Sequence, residues 1–301
     1  MTAPRVVSVG EVLWDLLPTG PQLGGAPCNL ACHIQSLGGA ATLVSRIGND
    51  ELGRRARSLL AARGMSLDGL ETDPSAPTGT VAVDLDATGQ PRYTILEHVA
   101  WDNLSGGPAA MRAASEAEAI CFGTLSQRTP TARAAVHALL RGAQSARLIL
   151  CDINLRDPFH APEVIESSLK AATALKLNES ELPVLARSFH LPGGPEDQMA
   201  GIARRFDLDW VIVTLGAAGS QVWHEGQWTS EPGLSVTVRD TVGAGDSFTA
   251  AFIMGTLRGW PVATTLRRAT AIAAYVCTQS GATPDLPPEL TGPFLKASRH
   301  S

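Results

Sequence analysis

Residues 240–248 read DTVGAGDSF and join a β-prone run, 234–238, to an alanine-rich stretch of helical character. A glycine-rich loop entering a helix leaves the first backbone N–H groups without partners, at the positive end of the helix dipole. Such a helix start binds anions. Gly243 and Gly245 lack a Cβ, so the backbone there can curl into a nest of amides and come close to a phosphate. Asp246 adjoins this positive site, where a carboxylate repels phosphate unless it serves a neighbouring group. Two uses fit: capping the helix, the commoner role of Asp at such a place, or accepting the proton of a hydroxyl that attacks phosphorus. The stretch alone leaves both open.

On its N-terminal side, short apolar or β-branched runs alternate with longer amphipathic stretches, the pattern of βα units on a mostly parallel sheet. Strands are predicted at 6–9, 42–46, 119–122, 148–152, 174–177 and 211–214, and helices at 29–37, 51–63, 131–142, 162–172, 179–189 and 195–206. Helices 247–257 and 262–277 follow the opening motif. The expected fold is α/β, a three-layer α/β/α Rossmann-like domain spanning 1–301. One region breaks the alternation: TVAVDLD at 80–86 and a second run at 93–96 flank ATGQPR, a hairpin signal. With a β candidate at 12–17 they predict a small, discontinuous β-sheet lid built from about 12–22 and 78–101. Further on, TLGAAGSQVWHEGQW at 214–228 reads as strand, glycine turn and hairpin.

Composition narrows the function classes. Apolar residues make up 44% and charged residues 18% of the 301, ordinary globular usage. A net charge of −5 argues against nucleic acid, whose binding needs Lys and Arg to neutralise phosphates. The five cysteines form no CxxC pair and no zinc-spaced Cys/His group, so they read as small buried hydrophobes of a reducing compartment. The N-terminal apolar run is short and broken by Glu11 and Asp15, unlike a signal peptide. Arg267 and Arg268 interrupt the longest membrane candidate, 262–277. A cytoplasmic location with no membrane partner is expected by elimination.

Further motifs change the reading of Asp246. GGAPCN at 24–29 runs into LACHIQSLGGAATLVSRIGNDELG; DINLR occupies 152–156, KLNESE 176–181 and TLGAAG 214–219; and DTVGAGDSF continues into TAAFIMG. In this order, and over nearly the whole chain, they resemble the signatures of the ribokinase-like, or PfkB, carbohydrate kinases. The resemblance implies that Asp246 is the general base, with Gly243, Ala244 and Gly245 presenting amides to the transferring phosphoryl group. It implies that Asp15, Gly24, Gly25 and Asn29 form the sugar site, and that Arg156 reaches the substrate or the transferred phosphate. Thr214, Gly216 and Gly219 map to the ATP side, and Asn178 and Glu181 to Mg²⁺ and phosphate, Glu181 through water. Asp240 and the Val242 carbonyl, with backbone near 280–282, resemble a monovalent-cation loop that needs K⁺ in some members and not in others. Small sheets of this kind pair with their copy in related kinases, so a homodimer through the lid is a further expectation.

GGAPCN lacks the Lys of the ribokinase form GGKGAN, and the GGAP pattern is most similar to the fructokinase branch. Fructose is the expected acceptor. A 2-keto-3-deoxygluconate kinase is the alternative, its acid substrate wanting Arg92 or Arg128 as a cationic partner. Nucleoside kinase or ribokinase comes next, with Trp14, Trp101 or Tyr93 as stacking candidates for a nucleoside. A sugar-binding regulatory protein on this scaffold is the non-enzyme alternative, disfavoured by the intact Asp246 and its glycines.

Overall fold

The computed structural model describes residues 2–17, 20–85 and 91–296, main chain alone for 83–85 and 91–93. The chain opens with β1 (Arg5–Val9) and leaves it for a hairpin, β2 (Leu13–Leu17) and β3 (Gly20–Gly24). It returns through α1 (Ala26–Ser36), β4 (Ala40–Gly48), α2 (Glu51–Ala62) and β5 (Leu70–Asp73). A second hairpin, β6 (Gly79–Leu85) and β7 (Pro91–Ile95), precedes α3 (Pro108–Glu116), β8 (Ala119–Phe122), α4 (Pro130–Gly142), β9 (Leu148–Asp152) and α5 (Pro162–Ala171). Next come β10 (Ala174–Asn178), α6 (Leu182–Ser188), α7 (Pro195–Phe206), β11 (Trp210–Thr214), β12 (Gly219–His224) and β13 (Gln227–Pro232). Three helices follow: α8 (Ala244–Leu257), α9 (Val262–Cys277) and α10 (Pro288–Leu295).

The large sheet runs β13-β12-β11-β10-β9-β8-β1-β4-β5, parallel except for the two antiparallel strands β12 and β13 at one edge. Its central strands are apolar on both faces, as burial between two helical layers requires. Val6, Cys121 and Leu150 pack into one core with Leu30, Phe252 and Leu266, and Val7, Phe122 and Cys151 into the other with Val136, Leu169 and Ile202. Three α/β/α layers result. From β1 the chain builds toward β5 on one side and toward β11 on the other, which leaves a crevice at the carboxyl ends of the central strands. Helix α8 points its N-terminus there and is buried almost all round from Ser247 to Gly255.

A second sheet, ordered β3-β2-β6-β7, contains the expected hairpin, with Val81 opposite Ile95. Its turn, 86–90, lies outside the described residues. Trp101 anchors this sheet's base: it is buried among Val99, Leu125, Ile95 and Phe159, and Gly79 lies against its indole nitrogen.

The β-prone run 234–238 is not a strand. After Gly233, whose missing Cβ makes room for the Ala217 carbonyl, the chain turns off the sheet edge. Its next main-chain bonds run from Arg239 and Asp240 to the Cys277 carbonyl, so no strand partner is offered. The helix expected at 179–189 is shorter, Leu182–Ser188. The Asn178 side-chain oxygen accepts the Ser180 and Glu181 amides at 2.9 and 3.1 Å and holds those residues in a turn. Among the described residues no helix is long and apolar enough to cross a membrane.

Candidate active site

Gly243 is the N-cap of α8 at φ 78°, and a Cβ there would collide with the Ala282 carbonyl. Only glycine suits that position. Beyond it, the Ala244 amide closes a turn on the Thr241 carbonyl at 3.3 Å, and Ser247 makes the first helical bond, to Gly243. Among the described residues, the Gly245 and Asp246 amides donate to no group outside the helix, which leaves them free to meet an anion. Of the expected set, the Gly243 and Gly245 amides are likewise without such a partner, and the Ala244 amide alone is engaged.

Asp246 does not cap α8: its carboxylate accepts the Asn29 side-chain amide at 2.8 Å. Asn29 lies in the first turn of α1, which starts at Ala26, earlier than its sequence suggests, with Gly25 as N-cap and Pro27 in the first turn. Burial pushes the Asp246 carboxyl up to about 6; the Asn29 bond, Lys176 and Arg156 oppose that rise and Asp152 adds to it. The residue remains partly exposed. A base poised near neutrality within reach of a cavity is suited to proton abstraction.

That cavity, open to solvent, lies at the crevice and is lined by Glu11, Thr124, Asp152, Asn154 and Asp246 among others. Glu11 escaped the sequence analysis as a site residue. It is 4% exposed, and burial pushes its carboxyl up to about 7, opposed by backbone hydrogen bonds and by Arg156 and reinforced by Asp246. Asn154, within DINLR, lines the same cavity, and its left-handed φ of 41° is unusual for a residue other than glycine. An acid inside an apolar run and a strained Asn are the signals that mark them.

Asp15 stands on β2 with its carboxylate against Gly24, and burial raises its pKa. Arg156 is exposed, and its side chain donates to the Leu155 carbonyl at 3.0 Å. Arg128, Trp14 and Trp101 are largely enclosed by protein. Arg128 donates to both carboxylate oxygens of Asp102, at 2.6 and 2.8 Å, and to the Leu96 carbonyl, and stacks on Trp101. Trp14 and Trp101 are each 1% exposed. The side chains of Arg92 and Tyr93 lie outside those described.

Farther along the crevice, Asn178 and Thr214 are register partners at the ends of β10 and β11. Glu181 is buried, and its two oxygens accept the Asn178 and Leu155 amides at 2.8 Å each, which ties KLNESE to DINLR. Burial raises its pKa against those bonds and Lys176. Gly216 and Gly219 both have positive φ, and Gly219 lies against the Glu231 carbonyl. Asp240 accepts the Val242 and Gly281 amides at 3.0 and 3.1 Å, joining the two backbone segments expected to form the cation loop. No group of three or more His, Cys, Asp or Glu side chains gathers for a metal among the described residues.

A family model, "pfkB family carbohydrate kinase", matches residues 19–289. The chain belongs to the pfkB family of carbohydrate kinases. It is a sugar phosphotransferase. This kinase is 32% identical over 267 residues to a fructokinase of Klebsiella pneumoniae, a match covering 83% of this chain and 84% of that one. An ATP-bound fructokinase structure from Xylella fastidiosa superposes with a TM-score of 0.83 at 21% identity, over 96% and 97% of the two chains. A fructokinase double mutant from Vibrio cholerae O395, bound to fructose, ADP and potassium ion, gives 0.82 at 23% identity, over 98% and 99%.

Proposed function

We propose that this kinase is a fructokinase, transferring the γ-phosphoryl group of ATP to fructose to give fructose 6-phosphate. The observation that carries the reading is the Asp246 carboxylate, fixed by Asn29 beside two unpaired amides at the start of α8. Asp246 takes the proton of the attacking hydroxyl as that oxygen bonds to phosphorus and the bond to ADP breaks. The Gly245 and Asp246 amides, on the rigid loop set by Gly243, hold the charge on the transferring group. Asp15, Gly24, Gly25 and Asn29 bind and orient the sugar, Arg156 stands at the mouth, and the small sheet serves as a lid that excludes water. Thr214, Gly216 and Gly219 take the nucleotide.

Magnesium bound with ATP supplies charge neutralisation at the phosphates. Asn178 and Glu181 suit it in a water-mediated shell, because each Glu181 oxygen is already pinned by one amide yet keeps a lone pair for water. Asp240, the Val242 carbonyl and the backbone at 280–282 offer the oxygen donors that a hard monovalent ion such as K⁺ takes. Fructose is favoured by the fructokinase relatives, by the engagement of Arg128 with Asp102, which removes a partner for an acidic sugar, and by the burial of Trp14 and Trp101. Buried Cys28, Cys32, Cys121 and Cys151, all free thiols, support a reducing, cytoplasmic setting, and Leu16, 38% exposed on β2, supports a homodimer through the small sheet, which sedimentation would test.

The test is ADP release with ATP and Mg²⁺ across fructose, 2-keto-3-deoxygluconate, ribose and adenosine, in K⁺ and in choline. Fructose is expected to give the highest kcat/KM; release with another acceptor alone replaces the substrate assignment. Asp246→Asn should lower kcat by about 10²-fold or more with sugar affinity within a few-fold. Near-normal turnover in that variant removes Asp246 from the role of base.

A further inference from the structure

Beneath the start of α8 lies a charge that the proposed chemistry does not use. Lys176, on β10, is 7% exposed, and its ammonium donates to Asp152 at 3.1 Å. The single proton of the Thr249 hydroxyl is shared between the other Asp152 oxygen, at 3.0 Å, and the Gly245 carbonyl, at 2.9 Å. A Cβ on Gly245 would stand 3.2 Å from the Lys176 nitrogen, so the ammonium packs directly under the anion-binding loop. Strand β10, strand β9 and the first turn of α8 are thus joined through three side chains, all buried.

We propose that Lys176 is a positioning residue for phosphoryl transfer: through Asp152 and Thr249 it fixes the Gly245 loop, and by its charge it holds Asp246 as the anion. The proposal rests on the reading of Asp246 as the base. The Lys176 ammonium sits between the Asp152 carboxylate and the Gly245 loop, so a cationic side chain faces the start of α8 from beneath. Lys176 holds the Asp246 pKa down while Asp152 raises it. The charged and titratable groups around Asp246 are Glu11 beyond β1, Asp152 and Arg156 at the end of β9, and Lys176 on β10, together with the Cys121 thiol of β8, which burial keeps neutral. Lys176 and Asp152 pull Asp246 in opposite directions. A neutral structural brace has no such antisymmetry.

The experiment uses that opposition. Lys176→Met and Asp152→Asn are compared with the parent by following the Asp246 carboxyl through ¹³C NMR titration of the full chain, its signal assigned by its loss in Asp246→Asn. Lys176→Met is expected to raise the midpoint by about one pH unit, as loss of a nearby opposite charge does, and Asp152→Asn to lower it. In turnover, the acid limb of kcat/KM should shift with the NMR midpoint, and kcat of Lys176→Met should fall about ten- to hundred-fold with sugar KM within a few-fold. Midpoints that stay put or move in the same direction overturn the proposal. If Lys176→Met does not fold, Lys176→Arg must leave the midpoint near the parent's and Asp152→Asn must still lower it; any other result overturns it. The NMR midpoint is independent of the acceptor, so a wrong choice of sugar cannot be mistaken for failure here. An Asp246→Asn variant with normal turnover would instead remove the reading on which the proposal rests.

Discussion

Two carboxyls, Glu11 and Asp246, line one cavity, and burial pushes both upward, to about 7 and about 6. Their raised values give catalysis and stability opposite responses to pH. The base role proposed for Asp246 requires the ionised form, so activity is expected above about pH 6 and to fall as pH drops through it. For stability the sign reverses: a carboxyl with a raised folded-state pKa contributes fully below its unfolded value and loses that contribution as pH rises through the folded value. Glu11, raised from 4.5 to about 7, costs the fold roughly 3 kcal/mol at alkaline pH. Glu11→Gln should therefore raise Tm by several degrees at pH 8 and hardly at all near pH 4.5. Equal shifts at both pH values would show that Glu11 is buried without penalty. The sequence marks Asp246 and Asn29, since both belong to compact motifs, although 217 positions separate them. Glu11 is not marked, because its setting depends on what folding stacks against an apolar run, and Lys176, although it opens KLNESE, comes to lie under α8 only once β10 is in the sheet.

At the scale of elements, glycine positions set where helices start. Gly243 combines φ 78° with a Cβ direction filled by the Ala282 carbonyl. Gly243→Ala should cost at least about 2 kcal/mol, a left-handed backbone penalty plus the displaced carbonyl, and turnover should fall with it. Gly259 is the control: its φ is 69° and nothing lies within 4 Å of the Cβ direction, so Gly259→Ala should cost about 1 kcal/mol with kcat unchanged. Denaturant midpoints measure both, and equal costs would mean that the Ala282 contact yields freely. The core strands were legible because burial on both faces writes them as unbroken apolar runs. Residues 234–238 carry the same composition and form no strand, since pairing depends on a neighbouring edge that composition does not record. The starts of α1 and α6 shifted for a similar reason: Gly25 and the Asn178 turn, rather than the apolar pattern, decide them.

Across the whole molecule, the alternation of strands and helices made the three layers readable, and chain reversal at β1 put the crevice where an open α/β sheet places it. The relation of the small sheet to that crevice was less legible, because it is held by Arg128, Asp102 and Trp101, residues with no local signature. Asp246, the proposed base, rides on a different support. From Ser247 onward helix α8 is packed on nearly every side, so the amide hydrogens beyond its first turn can reach solvent only when the cores on which it rests come apart. Deuterium uptake in peptides covering residues 248–255 is expected to be among the slowest in the chain, with rapid uptake there arguing for a separately melting helix. The helix that carries Asp246 then has the lifetime of the fold itself, and heating should yield no long-lived species that is folded yet inactive.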